Sequence, residues 1–273
     1  MMSSAAVPQK NDSDPTITTE FAVDMTCGSC EKSVRAALSH VPGVHAVDVD
    51  IPAKRVVVRS DLTVTATGLF TALRTTQLDV VIRGQGPPGA THAAVAVLEA
   101  SNRGHDPVRP LGVVRLTQLS ATRPGVLVDA SATGLAPGAY TLAITETGDL
   151  SAGVLGLGDE IVVVATDVHV PSPAGAPASA GGAGGLEAVA QVATGNVWDW
   201  VGRGLVVRRQ HDEGGDVPSG GDAVWIAGGV IARSAGAFEN SKVVCACSGR
   251  TLWEEKLGWI PSDERRIEDI SRV

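Results

Sequence analysis

"ITTEFAVDMTCGSCEKSVRAALSHV", residues 17–41, carries two different periodicities on either side of one short loop. "ITTEFAVD" alternates and reads as a strand, because successive side chains of an extended chain point to opposite faces. "EKSVRAALSHV" sets Val34, Ala37, Leu38 and Val41 three and four positions apart, on one face of a helix. "MTCGSC" lies between them as a loop. Moving outward, "PGV" turns the chain into "HAVDVDIPAKRVVVRS", two strands joined at "IPAK". "TATGLFTALRTTQ" follows as a second helix and "LDVVIRG" as a fourth strand. The order βαββαβ is that of the ferredoxin-like split unit.

Beyond it, "GQGPPGA", 84–90, reads as a linker. From Thr91 to Gly236 the helical period gives way to short β-type runs: "HAAVAVLEA", "VVRLTQLS", "GVLVDASATGL", "YTLAITETG", "IVVVATDVHV", "WVGRGLVVRR" and "VWIAGGVIAR". Gly, Pro and Asp punctuate them at intervals that suit an antiparallel Greek-key barrel or sandwich. "PSPAGAPASAGGAGG", 171–185, reads as a low-complexity loop between two of them. The expected organisation is an arm over 1–16, an α+β domain over 17–86, an all-β domain over 90–236 and an extended tail over 237–273. A length of 273 residues agrees with more than one domain.

The net charge of −8 excludes a general nucleic-acid binder, which needs a basic face. No apolar window approaches the ~18–20 residues of a membrane span. "MMSSAAVPQKNDSDPT" lacks the apolar core of a secretory signal, so the cytoplasm is the expected location, with the mitochondrial intermembrane space left open. In a reducing compartment the four cysteines read as metal ligands or redox thiols rather than structural staples.

Cys27 and Cys30 stand at i and i+3 where the first helix starts. That spacing brings two sulfurs to one ion, and the helix N-terminus favours thiolate over thiol. Tetrahedral zinc asks for four ligands, whereas Cu(I) is satisfied by two or three soft ones. A two-coordinate ion is also open to a third thiolate, so it can be handed on. The bland alternative is a thioredoxin-type redox pair, which tends to carry Pro or an aromatic where this chain has Gly28 and Ser29. Met25 is expected to pack beneath the loop.

"MTCGSC" in this setting resembles the MxCxxC motif of the heavy-metal-associated domain, found in copper chaperones and copper-pumping ATPases. The match spans 17–83. The middle region resembles Cu,Zn superoxide dismutase in three ordered segments: "GLAPGAYTLAITETGDL" at 134–150, "VGRGLVVRR" at 201–209 and "AGGVIAR" at 227–233. This resemblance implies a flattened eight-stranded barrel. It also implies copper-binding histidines where the chain has Ala143, Thr145 and Arg208, a cysteine where Gly228 stands, and an arginine where Trp225 stands. No His-x-His occurs, and His40, His45, His92, His105, His169 and His211 are scattered, each read as a surface or loop residue. The middle domain is therefore expected to be a docking surface without enzymatic activity.

Cys245 and Cys247, at i and i+2, project to the same side of an extended segment, ~6.5–7 Å apart. They can share Cu(I) or exchange a disulfide. "GVIARSAGAFENSKVVCACSGRTLWEE", 229–255, resembles the end of the copper chaperones for superoxide dismutase. With all three parts in order, the resemblance implies that Cys27 and Cys30 acquire Cu(I) and that the barrel docks Cu,Zn superoxide dismutase as a heterodimer. It implies further that Cys245 and Cys247 pass the ion and promote the target's disulfide. A homodimer is left open. The competing readings are a general intracellular Cu(I) carrier or thiol detoxification protein, and a dismutase fused to a metal-binding domain.

Overall fold

The computed structural model describes residues 15–87, 92–100, 110–171, 184–210 and 225–239. The arm over 1–14, most of the low-complexity loop, His105, His211 and the tail from 240, with Cys245 and Cys247, lie outside the described residues.

The first unit runs β1 (Thr16–Val23), α1 (Gly28–Ser39), β2 (Val44–Asp50), β3 (Arg55–Asp61), α2 (Ala66–Arg74) and β4 (Val80–Gly86). Its antiparallel sheet has the order β2-β3-β1-β4, so β3 is inserted between β1 and β2 and the fold is ferredoxin-like. Phe21 of β1, opposite Val56 on one side and Ile82 on the other, meets Val34 and Leu38 of α1 and Leu69 and Leu73 of α2 in one buried core. Burying each such side chain contributes roughly 1.5–3 kcal/mol. Thr65 caps α2 by accepting from the Gly68 amide at 2.8 Å. The helix stops at Arg74 rather than Gln77 because the Thr75 and Thr76 hydroxyls donate back to the Ala72 and Leu73 carbonyls, and Gln77 takes φ 61°.

The second unit is an eight-stranded antiparallel barrel. Its strands are β5 (Ala93–Ala100), β6 (Pro110–Gln118), β7 (Val126–Leu135), β8 (Gly138–Thr145), β9 (Glu160–Val170), β10 (Gly184–Val192), β11 (Gly204–Arg209) and β12 (Trp225–Ser234). The order β10-β7-β6-β5-β12-β11-β8-β9 leaves β9 and β10 at the two ends, and the barrel is nearly closed. Leu98, Leu116, Tyr140, Leu142, Leu205 and Ile231 fill it.

Three expectations are corrected here. Strand β10 was not anticipated, and Gly184 and Gly185 belong to it rather than to a loop ending at 185. "WVGR" is not strand: Val197–Trp200 forms the single helical turn α3, closed by a capping box between Asn196 and Asp199, and β11 starts only at Gly204. Gln85 and Gly86, read as linker, extend the fourth strand past Gly84 and form with it the buried end of β4. A Cβ at Gly84 would stand 2.1 Å from the Gly236 carbonyl oxygen, so only glycine admits that backbone.

This last contact belongs to a joint between the two units. Ile17 and Leu62 of the first pack on Leu127 of the barrel. The buried Asp129 carboxylate accepts from the Ala66 amide at the start of α2, at 2.7 Å. Glu20 of β1 accepts from the Phe238 amide at 2.7 Å, just past β12.

Candidate metal centre

The loop between β1 and α1 is held from below. Val23, Asp24 and Met25 fix its backbone through the Lys54 carbonyl, the Asp79 carbonyl and a tight turn onto Val23, and Lys54 pairs with Asp24. Met25 is 1% exposed and sits in the core, as its place in the motif suggested. From there the chain emerges into solvent. Thr26, Cys27, Gly28 and Ser29 are exposed, and Cys30 is half-buried with its side chain against the core.

Cys27 occupies the N-cap position of α1 with extended backbone (φ −156°, ψ 168°), and Cys30 lies in the first turn. The two sulfurs are 3.5 Å apart, and Cys27 Sγ is 2.9 Å from Ser29 Oγ. The Ser29 hydroxyl, followed by the Cys30 amide and side chain and then the Ser29 amide, stabilises the charged form and holds the Cys27 thiol down to about 6. At neutral pH this side chain is a thiolate. In the sequence Ser29 stood out only as a residue found where a thioredoxin-type pair tends to carry Pro or an aromatic. A hydroxyl two positions after a helix-capping cysteine was the signal for its role here. Gly28 has nothing within 4 Å of where a Cβ would stand, so the loop is open at that point.

The barrel treats the positions singled out there differently. Ala143 of β8 faces Val206 of β11 and is sealed by Val154 and Leu157 from a short 3-10 helix, Gly153–Leu157. Thr145 is fully buried and donates to the Thr147 carbonyl. Arg208 donates to Glu160 at 2.7 Å, and Trp225 pairs with Arg208 in the β11–β12 ladder. A Cβ at Gly228 would stand 2.4 Å from Val154 Cγ1. His40, His45 and His169 are exposed, and His92, also exposed, stacks edge-on against Trp198 at 5.0 Å. Among the described residues no three His, Cys, Asp or Glu side chains gather in a metal-binding group, and no helix is long and apolar enough to cross a membrane.

The heavy-metal-associated domain family matches residues 20–74, which span this loop and both helices. A superoxide dismutase 1 copper chaperone of Kluyveromyces lactis is 34% identical over 238 residues, covering 86% of this chain and 91% of its own. The chain belongs to the copper chaperones for superoxide dismutase. The family's human member is 33% identical over 258 residues, covering 88% of this chain and 89% of its own. A solved structure of the copper(I)-loaded first domain of the human copper chaperone for SOD1 is 37% identical, covering 26% of this chain and 97% of that one, with a TM-score of 0.24. Of the four cysteines expected to act in this family member, the structure brings Cys27 and Cys30 together; Cys245 and Cys247 lie outside the described residues.

Proposed function

We propose that this chain takes up Cu(I) through Cys27 and Cys30 and delivers it to Cu,Zn superoxide dismutase. The observation that carries the reading is the exposed sulfur pair, 3.5 Å apart, with one member held as thiolate. Two soft sulfur donors, with no third His, Cys, Asp or Glu gathered into a group with them among the described residues, suit a monovalent soft ion, and so low a ligand number leaves room for an incoming thiolate. Copper is here a cargo, and its exit matters as much as its capture.

The barrel, over roughly 90–236, docks the immature dismutase as a heterodimer, imitating the target's own symmetric contact. The apolar seal around Ala143 supports a docking body rather than an enzyme. Cys245 and Cys247, in the tail over 237–273, pass the ion and promote the target's disulfide by thiolate exchange. Proximity in the docked complex supplies the effective concentration that such a transfer needs. The place of action is the cytoplasm.

Cu(I) competition against an affinity-matched chelator tests the reading. Replacing Cys27 and Cys30 by serine removes the first site, and replacing Cys245 and Cys247 leaves it intact while abolishing activation of metal-free, reduced dismutase. Unchanged Cu(I) uptake after the first double substitution sinks the proposal.

A further inference from the structure

The joint between the two units encloses a cleft of about 300 Å³ whose walls come from β4, β5, β6 and the end of β12. Among the described residues six buried side-chain polar atoms lack a hydrogen-bond partner, and three of them belong to residues that line this one cleft: Arg83 Nε, Gln85 Oε1 and Arg115 Nη1. The Arg83 side chain is 6% exposed. Buried groups of this strength are nearly always satisfied, and each left unmet is costly. The acidic neighbours answer this charge only in part. Glu20 directs Oε2 to the Phe238 amide and pairs its Oε1 with Arg83 Nη1 at 3.6 Å, which leaves Arg83 Nε without a hydrogen bond. Asp129, opposite Arg115 in the β6–β7 ladder, directs Oδ2 to the Ala66 amide and leaves Oδ1 without a hydrogen bond.

We propose that this cleft is an oxyanion site, in which Arg83 from the first unit and Arg115 from the barrel grip a phosphate-class anion between them. Guanidinium N–H groups make their strongest hydrogen bonds to such oxygens. Gln85 Oε1, an acceptor, adds selectivity. It accepts a hydrogen bond from an anion that still carries a proton, as phosphate does near neutrality, and offers nothing to sulfate. Because its two arginines belong to different units, the anion ties the docked arrangement together. The inference involves no cysteine and stands apart from the copper reading.

The test is thermal unfolding of the full chain titrated with inorganic phosphate, sulfate or succinate, at ionic strength held constant with sodium chloride. Excluded salts raise Tm without saturating, so the measure is the saturable part. Phosphate is expected to give a saturable rise of about 2–4 °C, half-saturating at lower concentration than sulfate or succinate. Arg115→Met abolishes that rise. Arg115→Lys, which keeps the charge and loses the fork, raises the half-saturating concentration several-fold. The assignment is overturned by a purely linear response to phosphate, by sulfate or succinate binding as tightly, or by a saturable rise that Arg115→Met and Arg115→Lys leave unchanged.

Discussion

The loop around Cys27 and the pocket around Ala143 are the two places where resemblance to metalloproteins points to metal, and they are built on opposite principles. The first leaves Cys27, Gly28 and Ser29 in solvent on a backbone pinned from beneath. The second packs Ala143, Val154, Leu157 and Val206 on one another in a buried apolar cluster. A site that must release its ion is tolerant of substitution and rich in chemistry. A region kept for its shape is intolerant of substitution and poor in chemistry. The exposed sulfur of Cys27 can change at little cost to the fold, whereas the buried residues around Ala143 cannot.

The harshest way to break this contrast is to rebuild the missing imidazoles. Ala143→His with Thr145→His forces two large polar side chains into fully buried positions and is expected to cost roughly 2–5 kcal/mol in urea unfolding. An unaltered unfolding midpoint would show that the pocket is roomier than its packing indicates. A matched pair of glycine substitutions sharpens the same comparison. Gly228→Ala drives a methyl to 2.4 Å from Val154 Cγ1 and is expected to destabilise by about 1–3 kcal/mol. Gly28→Ala meets nothing within 4 Å, and its effect stays within about 1 kcal/mol, on the stabilising side, since alanine suits a helical position better. Equal effects at the two sites would erase the distinction. The gentlest probe is chemical. Alkylation of Cys27, followed with Cys30 replaced by serine, should show an acidic midpoint, falling as protonation removes the thiolate below about 6. Ser29→Ala removes the leading cause of that depression, moving the midpoint upward and slowing the reaction several-fold near pH 6.

The first unit was largely legible in sequence because its signals are local. Alternation in β1, the Val34–Leu38 spacing and the Cys27–Cys30 interval each declare themselves within a dozen residues. The sulfur separation and the Ser29 contact follow from the helix start that the spacing predicts. The barrel yielded its strands less evenly. β10, "GGLEAVAQV", is rich in Gly, Ala, Glu and Gln, which are poor strand formers, and buries only Leu186 fully. It is a strand because β7 offers a ladder from Val126 to Leu135, and that partner lies some fifty residues earlier in the chain. The joint was least legible. Glycine at 84 opened the stretch read as linker, and nothing near it in sequence announces Gly236 as its neighbour. Contacts between distant segments leave no periodicity to read.

The Asp129–Ala66 hydrogen bond carries a practical corollary for anyone who cuts this chain apart. A fragment ending after β4 keeps every residue of α2 yet surrenders the carboxylate seated over its opening turn, which comes from sixty-three positions downstream. Such a piece will begin that helix looser than the intact protein does, with faster amide exchange at Ala66. Ion affinities taken from the excised fragment then describe a subtly different scaffold from the one that works inside the whole molecule.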